Sequence, residues 1–201
     1  MVVAIGVGAQ FLQRSDPTPP LLYYTVLSAL GLSAVLLLEL RTRGRGTDWL
    51  RGLMLTGLVF SAIVYALVLL PFSRDPVFSP RNHDHVAQVA TVALHAVAPT
   101  IGVLDLVRRP IAVRRRVAVA AGWLVWPAVY FSLIVGLAEF ENLRAPYTFM
   151  DPSAAPSWNF GLANLCLALV SFGVGCAVAA LAGHLKVARD SGSVGRAPGQ
   201  S

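Results

Sequence analysis

The sequence predicts an all-α fold: a polytopic transmembrane helix bundle of six spans, with the N- and C-termini on the cytoplasmic side. Three observations predict it. Of 201 residues, 56% are hydrophobic and 13% are charged, about half the charged share of an ordinary soluble domain. The apolar residues gather into runs of roughly 20, the length a helix needs to cross a bilayer core. The 16 Lys and Arg residues, which set a formal net charge of +6, lie almost entirely between those runs. That distribution is a topology signal rather than a nucleic-acid surface.

The runs fall at about residues 1–13, 21–40, 52–71, 86–107, 117–138 and 159–182. Transmembrane strands would be about half as long and would alternate in polarity. The first run is the exception in length, reaching only ~18 Å as a helix against a core of ~30 Å. It has no basic n-region and no clear cleavage site, which argues against a signal peptide. It reads as a short first span, or as one clipped by a misassigned start codon. The second reading is preferred, because a six-helix pattern fits everything downstream.

Orientation follows from the arginines. Arg41, Arg43, Arg45 and Arg51 follow the second run, Arg108, Arg109, Arg114, Arg115 and Arg116 the fourth, and Lys186, Arg189 and Arg196 the sixth. The alternate loops are mixed in sign. The positive-inside rule therefore puts both termini in the cytoplasm of a cell-membrane protein. The expected organisation is one bundle over residues 1–185 and a disordered Gly/Ser/Pro-rich tail over 186–201.

Cysteine and glycine usage points to no metal and no organic cofactor. Cys166 and Cys176, ten residues apart on one helix, lie ~15 Å from each other and cannot be bridged. They read as small packing residues. The glycines are scattered singly and build no phosphate loop. In Asn82-His83-Asp84-His85 a metal-ligand reading stands beside Asp84 as a helix N-cap, and the cap is preferred.

Small and polar residues form stripes. Gln88, Thr91, His95, Gly102 and Asp105 share one side of the fourth helix; Gly161, Asn164, Ala168, Ser171 and Gly175 share one side of the sixth; Thr25, Ser28 and Gly31 mark the second. Lipid offers polar atoms no partner, so these stripes face other helices. The helical rise places Thr25, Ser28, His95, Tyr130 and Asn164 in one band toward the outer leaflet, although upright helices would leave Thr25 and His95 offset by ~8 Å. Asp105 beside Arg108 and Arg109, and Glu39 beside Arg41 and Arg43, read as interfacial ion pairs.

His95 is the most informative residue, an imidazole in an otherwise apolar stretch. A hydroxyl becomes a nucleophile when a base takes its proton, and imidazole is the usual base. Thr25 or Ser28 is the candidate oxygen, and Thr91 or a backbone carbonyl the candidate orienter. Asn164, Tyr130 or backbone N–H groups are candidate oxyanion donors. The structural alternatives are back-bonding of Thr and Ser to the i−4 carbonyl and interhelical bonding by the His. Pro99 deprives the His95 carbonyl of its helical donor, and Pro127 does the same to Trp123, so a kink is expected near His95. Tyr147 and Phe149 are expected at headgroup level, in a loop capping the polar band.

Several of these residues form an ordered set: Tyr24-Thr25-x-x-Ser28, His95-x-x-x-Pro99 followed by Asp105, Trp126-Pro127-x-x-Tyr130 with Gly136, Pro146-Tyr147-x-Phe149-x-Asp151-Pro152, and Asn164. The set, covering about residues 20–182, resembles the bacterial six-helix branch of the androgen-induced membrane-hydrolase family. Animal members cleave fatty acid esters of hydroxy fatty acids with a membrane Thr and a His. The resemblance implies Thr25 as nucleophile and His95 as base, with Ser28, Thr91, Tyr130 and Asn164 lining the site. The partners implied are membrane lipids or a lipid-like ester entering from the outer leaflet. The alternative is a non-catalytic membrane protein: a small transporter, or a lipid-binding or scaffold module.

Overall fold

A computed structural model of the chain describes residues 1–13, 18–42, 46–72, 84–140, 146–147 and 157–194. Among these residues all regular structure is helical. Five stretches are long and apolar enough to cross a membrane: Tyr24–Arg41, Asp48–Leu69, His85–Arg108, Arg116–Phe140 and Phe160–Ser191. The protein is a membrane-embedded helical bundle. The apolar helix Val2–Leu12 is shorter than a span.

In chain order the helices are α1 (Val2–Leu12), α2 (Tyr24–Thr42), α3 (Asp48–Val64), α4 (Leu70–Phe72), α5 (His85–Val92), α6 (Ala98–Arg108), α7 (Arg116–Trp123), α8 (Val125–Phe140) and α9 (Ser157–Val194). Two π turns, Tyr65–Leu69 and Ala93–Val97, join α3 to α4 and α5 to α6 without a break. Asp84 is the N-cap of α5, its carboxylate accepting from the Ala87 N–H at 2.9 Å; its neighbours 82 and 83 lie outside the described residues.

Proline chemistry sets the irregularities. Pro71 and Pro99 have no N–H for the carbonyls of Leu67 and His95, four residues back. In each case the preceding turn widens: Leu70 N–H bonds Tyr65 O, and Ala98 N–H bonds Ala93 O, both five residues apart. Pro127 leaves the Trp123 carbonyl without its donor, and the helix steps at Leu124 between α7 and α8. Pro19 and Pro20 open a 3₁₀ turn over Pro20–Leu22, so α2 starts at Tyr24 rather than at Leu21.

Two other ends differ from the sequence expectation. Helix α3 starts at Asp48, four residues before Gly52; in its charged first turn Asp48 pairs with Arg51, which also meets Glu39 and Asp105 from other helices. Helix α9 runs to Val194, so residues 186–194 continue the helix where a disordered tail was expected. An i,i+4 pair of Lys186 and Asp190 at 3.4 Å lies along that extension; residues 195–201 lie outside the described residues.

Helix α3 is the centre of the bundle, packed against α2, α6, α7, α8 and α9. Small residues let the neighbours close on it. The Trp123 indole lies directly over Gly52, where a Cβ would overlap the ring, and Trp126 and Tyr24 close over Gly57 in the same way. Dispersion between closely approaching backbones is the main cohesive force between helices in lipid.

The Arg-rich end carries a buried ion network. Glu39 and Arg51 are each 5% exposed. Glu39 accepts from Thr47 Oγ1 at 3.0 Å and pairs with Arg51 at 3.4 Å and Arg109 at 3.1 Å. Arg109 also hydrogen-bonds Asp105, and Arg51 donates to the Arg109 carbonyl. The Asp105 hydrogen bond, supported by Glu39, raises the Arg109 pKa above its usual value. The ion pair expected between Asp105 and Arg109 forms. Glu39, expected to pair with Arg41 and Arg43, pairs with Arg51, buried beside it, and with the exposed Arg109; Arg43 lies outside the described residues.

Candidate functional site

Thr25 is the second residue of α2 and is 2% exposed. Its Oγ1 lies 3.1 Å from His95 Nε2. On the far side of the ring, Nδ1 lies 3.3 Å from the backbone oxygen of Thr91. A carbonyl can only accept, so these partners assign the hydrogen to Nδ1 and leave Nε2 bare. The Thr25 hydroxyl then donates to Nε2. This is the tautomer a general base needs, oriented by a carbonyl where catalytic triads use a carboxylate.

The axial offset of ~8 Å expected from the helical rise between Thr25 and His95 is therefore closed. The two helices do not start level. Helix α5 begins ten residues before His95, whereas α2 begins one residue before Thr25. Above that level α1 takes the place beside α5, with Gly6 packed against Ala93 and Leu94.

The pair opens onto a cavity of about 380 Å³. Thr25, His95, Tyr130 and Asn164 line it together with Tyr24 and Ser61, and most of the other described lining residues are apolar, including Phe60, Val64, Phe131 and Leu167. Tyr147 closes part of the wall and meets Tyr23 edge to face at 6.0 Å. Phe149, the other aromatic expected in that loop, lies outside the described residues.

The remaining site candidates have other engagements. Ser28 and Thr91 do not line the cavity. Ser28 Oγ accepts from Trp126 Nε1 at 2.9 Å and ties α2 to α8. Tyr130 donates to the Leu22 carbonyl at 2.6 Å, securing the turn that leads into α2. Asn164 Nδ2 donates to the Phe160 carbonyl at 2.7 Å, one turn back on α9. The N–H groups of the first turn of α2, which include that of Thr25, have no acceptor within the helix and sit at its positive end.

Tyr65 was not anticipated from the sequence. Its ring lies on the His95 imidazole, with centroids 4.3 Å apart and an interplanar angle of 31°. The signal was present as a spacing: Tyr65 stands six residues before Pro71, and Ala93 six residues before Pro99. Among the described residues no group of three or more His, Cys, Asp or Glu side chains is placed to hold a metal ion. No protein-family model, curated protein or solved structure matches this chain.

Proposed function

We propose that this protein is an intramembrane ester hydrolase acting on a lipid-like substrate, with Thr25 as nucleophile and His95 as general base. The observation that carries this reading is the 3.1 Å contact between a buried Thr hydroxyl and an oriented imidazole at the wall of an apolar cavity. The resemblance to the androgen-induced membrane-hydrolase family accords with it.

The chemistry is acyl transfer in two halves. Thr25 Oγ1 attacks the ester carbonyl carbon as its proton passes to His95 Nε2. Collapse of the tetrahedral intermediate breaks the carbonyl–alkoxy bond, and the Nε2 proton goes to the departing alcohol. A water molecule, deprotonated by His95, then attacks the Thr25 ester, releases the fatty acid and restores the hydroxyl. The Nδ1 hydrogen bond to the Thr91 carbonyl holds the imidazolium through both halves. The Thr25 and Val26 N–H groups, in the first turn of α2, are the donors for the oxyanion in this reading. The Arg-rich end faces the cytoplasm by the positive-inside rule, which places the site toward the outer leaflet.

One observation favours a second reading, a non-catalytic lipid-binding protein. The side-chain donors of Tyr130 and Asn164 are engaged by the carbonyls of Leu22 and Phe160. Hydrolysis of long-chain ester probes by purified protein in nanodiscs separates the two. Turnover lost in Thr25→Ala supports the hydrolase; tight binding of the probes without turnover supports the second reading.

A further inference from the structure

We propose that Tyr65 is a positioning residue for His95, fixing the plane of the imidazole so that Nε2 points at Thr25. The kinetic consequence rests on the hydrolase reading; the geometric claim does not.

The physical basis begins in backbone chemistry. Each of the two helices carrying these residues contains a π turn that begins six residues before a proline. A π turn inserts one residue relative to an α-helix and rotates the next helical segment by ~100°. The two widened turns meet at the Tyr65 and His95 rings.

An imidazole on a rotatable stem needs two constraints to fix where its nitrogens point. The Thr91 carbonyl supplies one, through Nδ1. That bond, at 3.3 Å, and the Thr25 contact at Nε2, at 3.1 Å, hold the two nitrogens but leave the ring plane free to rock about the line joining them. Tyr65 covers one face of the ring and removes that freedom. The Tyr65 hydroxyl also interacts with the Thr91 side chain. Thr91 therefore anchors the imidazole through its carbonyl and lies beside the phenol that covers it. Tyr65 does not line the cavity, so it has no contact with a substrate there and acts only through His95.

The test combines a spectroscopic and a kinetic readout on the full chain in nanodiscs. With ¹⁵N-labelled histidine, and with His95→Gln to assign the signal, the wild type is expected to show a protonated Nδ1 and a bare Nε2 at His95. Tyr65→Leu and Tyr65→Met, which remove the aromatic face, are expected to give mixed or exchange-broadened tautomers. They are also expected to lower kcat toward ester probes by about 100-fold, the scale of a ~1 Å misplacement, while KM changes little. Tyr65→Phe keeps the face and loses one hydrogen bond, so its kcat should fall by less than about tenfold. If Tyr65→Leu does not fold, Tyr65→Met decides. An unchanged His95 spectrum in a folded non-aromatic variant overturns the proposal. A wild type with the expected tautomer but no turnover overturns the hydrolase reading instead, and leaves Tyr65 as the residue that orients His95.

Discussion

The Thr25 hydroxyl meets His95 Nε2 at 3.1 Å, joining the second residue of one helix to the middle of a π turn in another. The contact spans 70 positions of sequence and places a proton donor and a proton acceptor in line at the wall of an apolar cavity.

Removal of either partner should abolish turnover without unfolding the bundle. Thr25→Ala leaves no nucleophile, and its hydrolysis of long-chain ester probes should fall to background. His95→Gln keeps a polar side chain but no base, and should lose about 10²–10⁴-fold in rate. Thr25→Ser should retain measurable activity. Thermal melting of the detergent-solubilised variants checks the fold; full activity in both Thr25→Ala and His95→Gln would refute the assignment.

Pro99 should matter to activity more than to helix content. In Pro99→Ala the new N–H can bond the His95 carbonyl, and the π turn can close to an α turn. That closure rotates the His95 side of the helix by ~100° relative to α6. Ester hydrolysis should drop by about 100-fold, while circular dichroism shows unchanged helicity. Wild-type kcat in this variant would show that the π turn does not set the His95 position.

Breaking the buried ion network should cost more than replacing it. Arg51→Met leaves the buried Glu39 carboxylate with only the exposed Arg109 as cationic partner, and Glu39→Leu takes from the buried Arg51 guanidinium its nearest carboxylate; each should destabilise, by at most about 3–5 kcal/mol. The double variant Glu39→Leu/Arg51→Met leaves neither charge without its partner and should recover part of that loss. Denaturation of the purified protein in mixed micelles measures all three. Additive losses in the double variant would contradict the pairing.

Gly52 should tolerate no side chain. Any Cβ there overlaps the Trp123 indole, so Gly52→Ala should destabilise by about 1–3 kcal/mol through overpacking. The paired change Gly52→Ala/Trp123→Leu should relieve the clash and melt above Gly52→Ala alone. Gly136, with open space around it, is the control position, where Gly→Ala should change the melting temperature little.

Much of the architecture was legible residue by residue. The apolar runs became five membrane-length helices and the short α1, because hydropathy and length are local properties. Asp84 was readable as a cap, since capping chemistry acts within one turn. Pro99 and Pro127 announced irregular turns, for each removes one identifiable donor. The sequence also placed Thr25, His95 and Asn164 on inward stripes and Tyr130 in the same depth band, and these four share the cavity wall. It placed Ser28 there as well, but Ser28 is turned toward Trp126. Periodicity reports a face about 100° wide, and two residues on one face can still address different neighbours.

The sequence by itself determined the helices, the Arg-rich end, the cap, the proline-disturbed turns and the residue types capable of chemistry. Only the tertiary structure decided which of them meet. Thr25 reaches His95 because α5 starts far above α2, Tyr65 covers His95 because their helices bring the two rings together, and Glu39 pairs with Arg51 and Arg109, 12 and 70 positions away. The physical reason is common to all three. Side-chain periodicity fixes the azimuth of a residue on its own helix, but the axial register between helices is set by packing among segments distant in sequence.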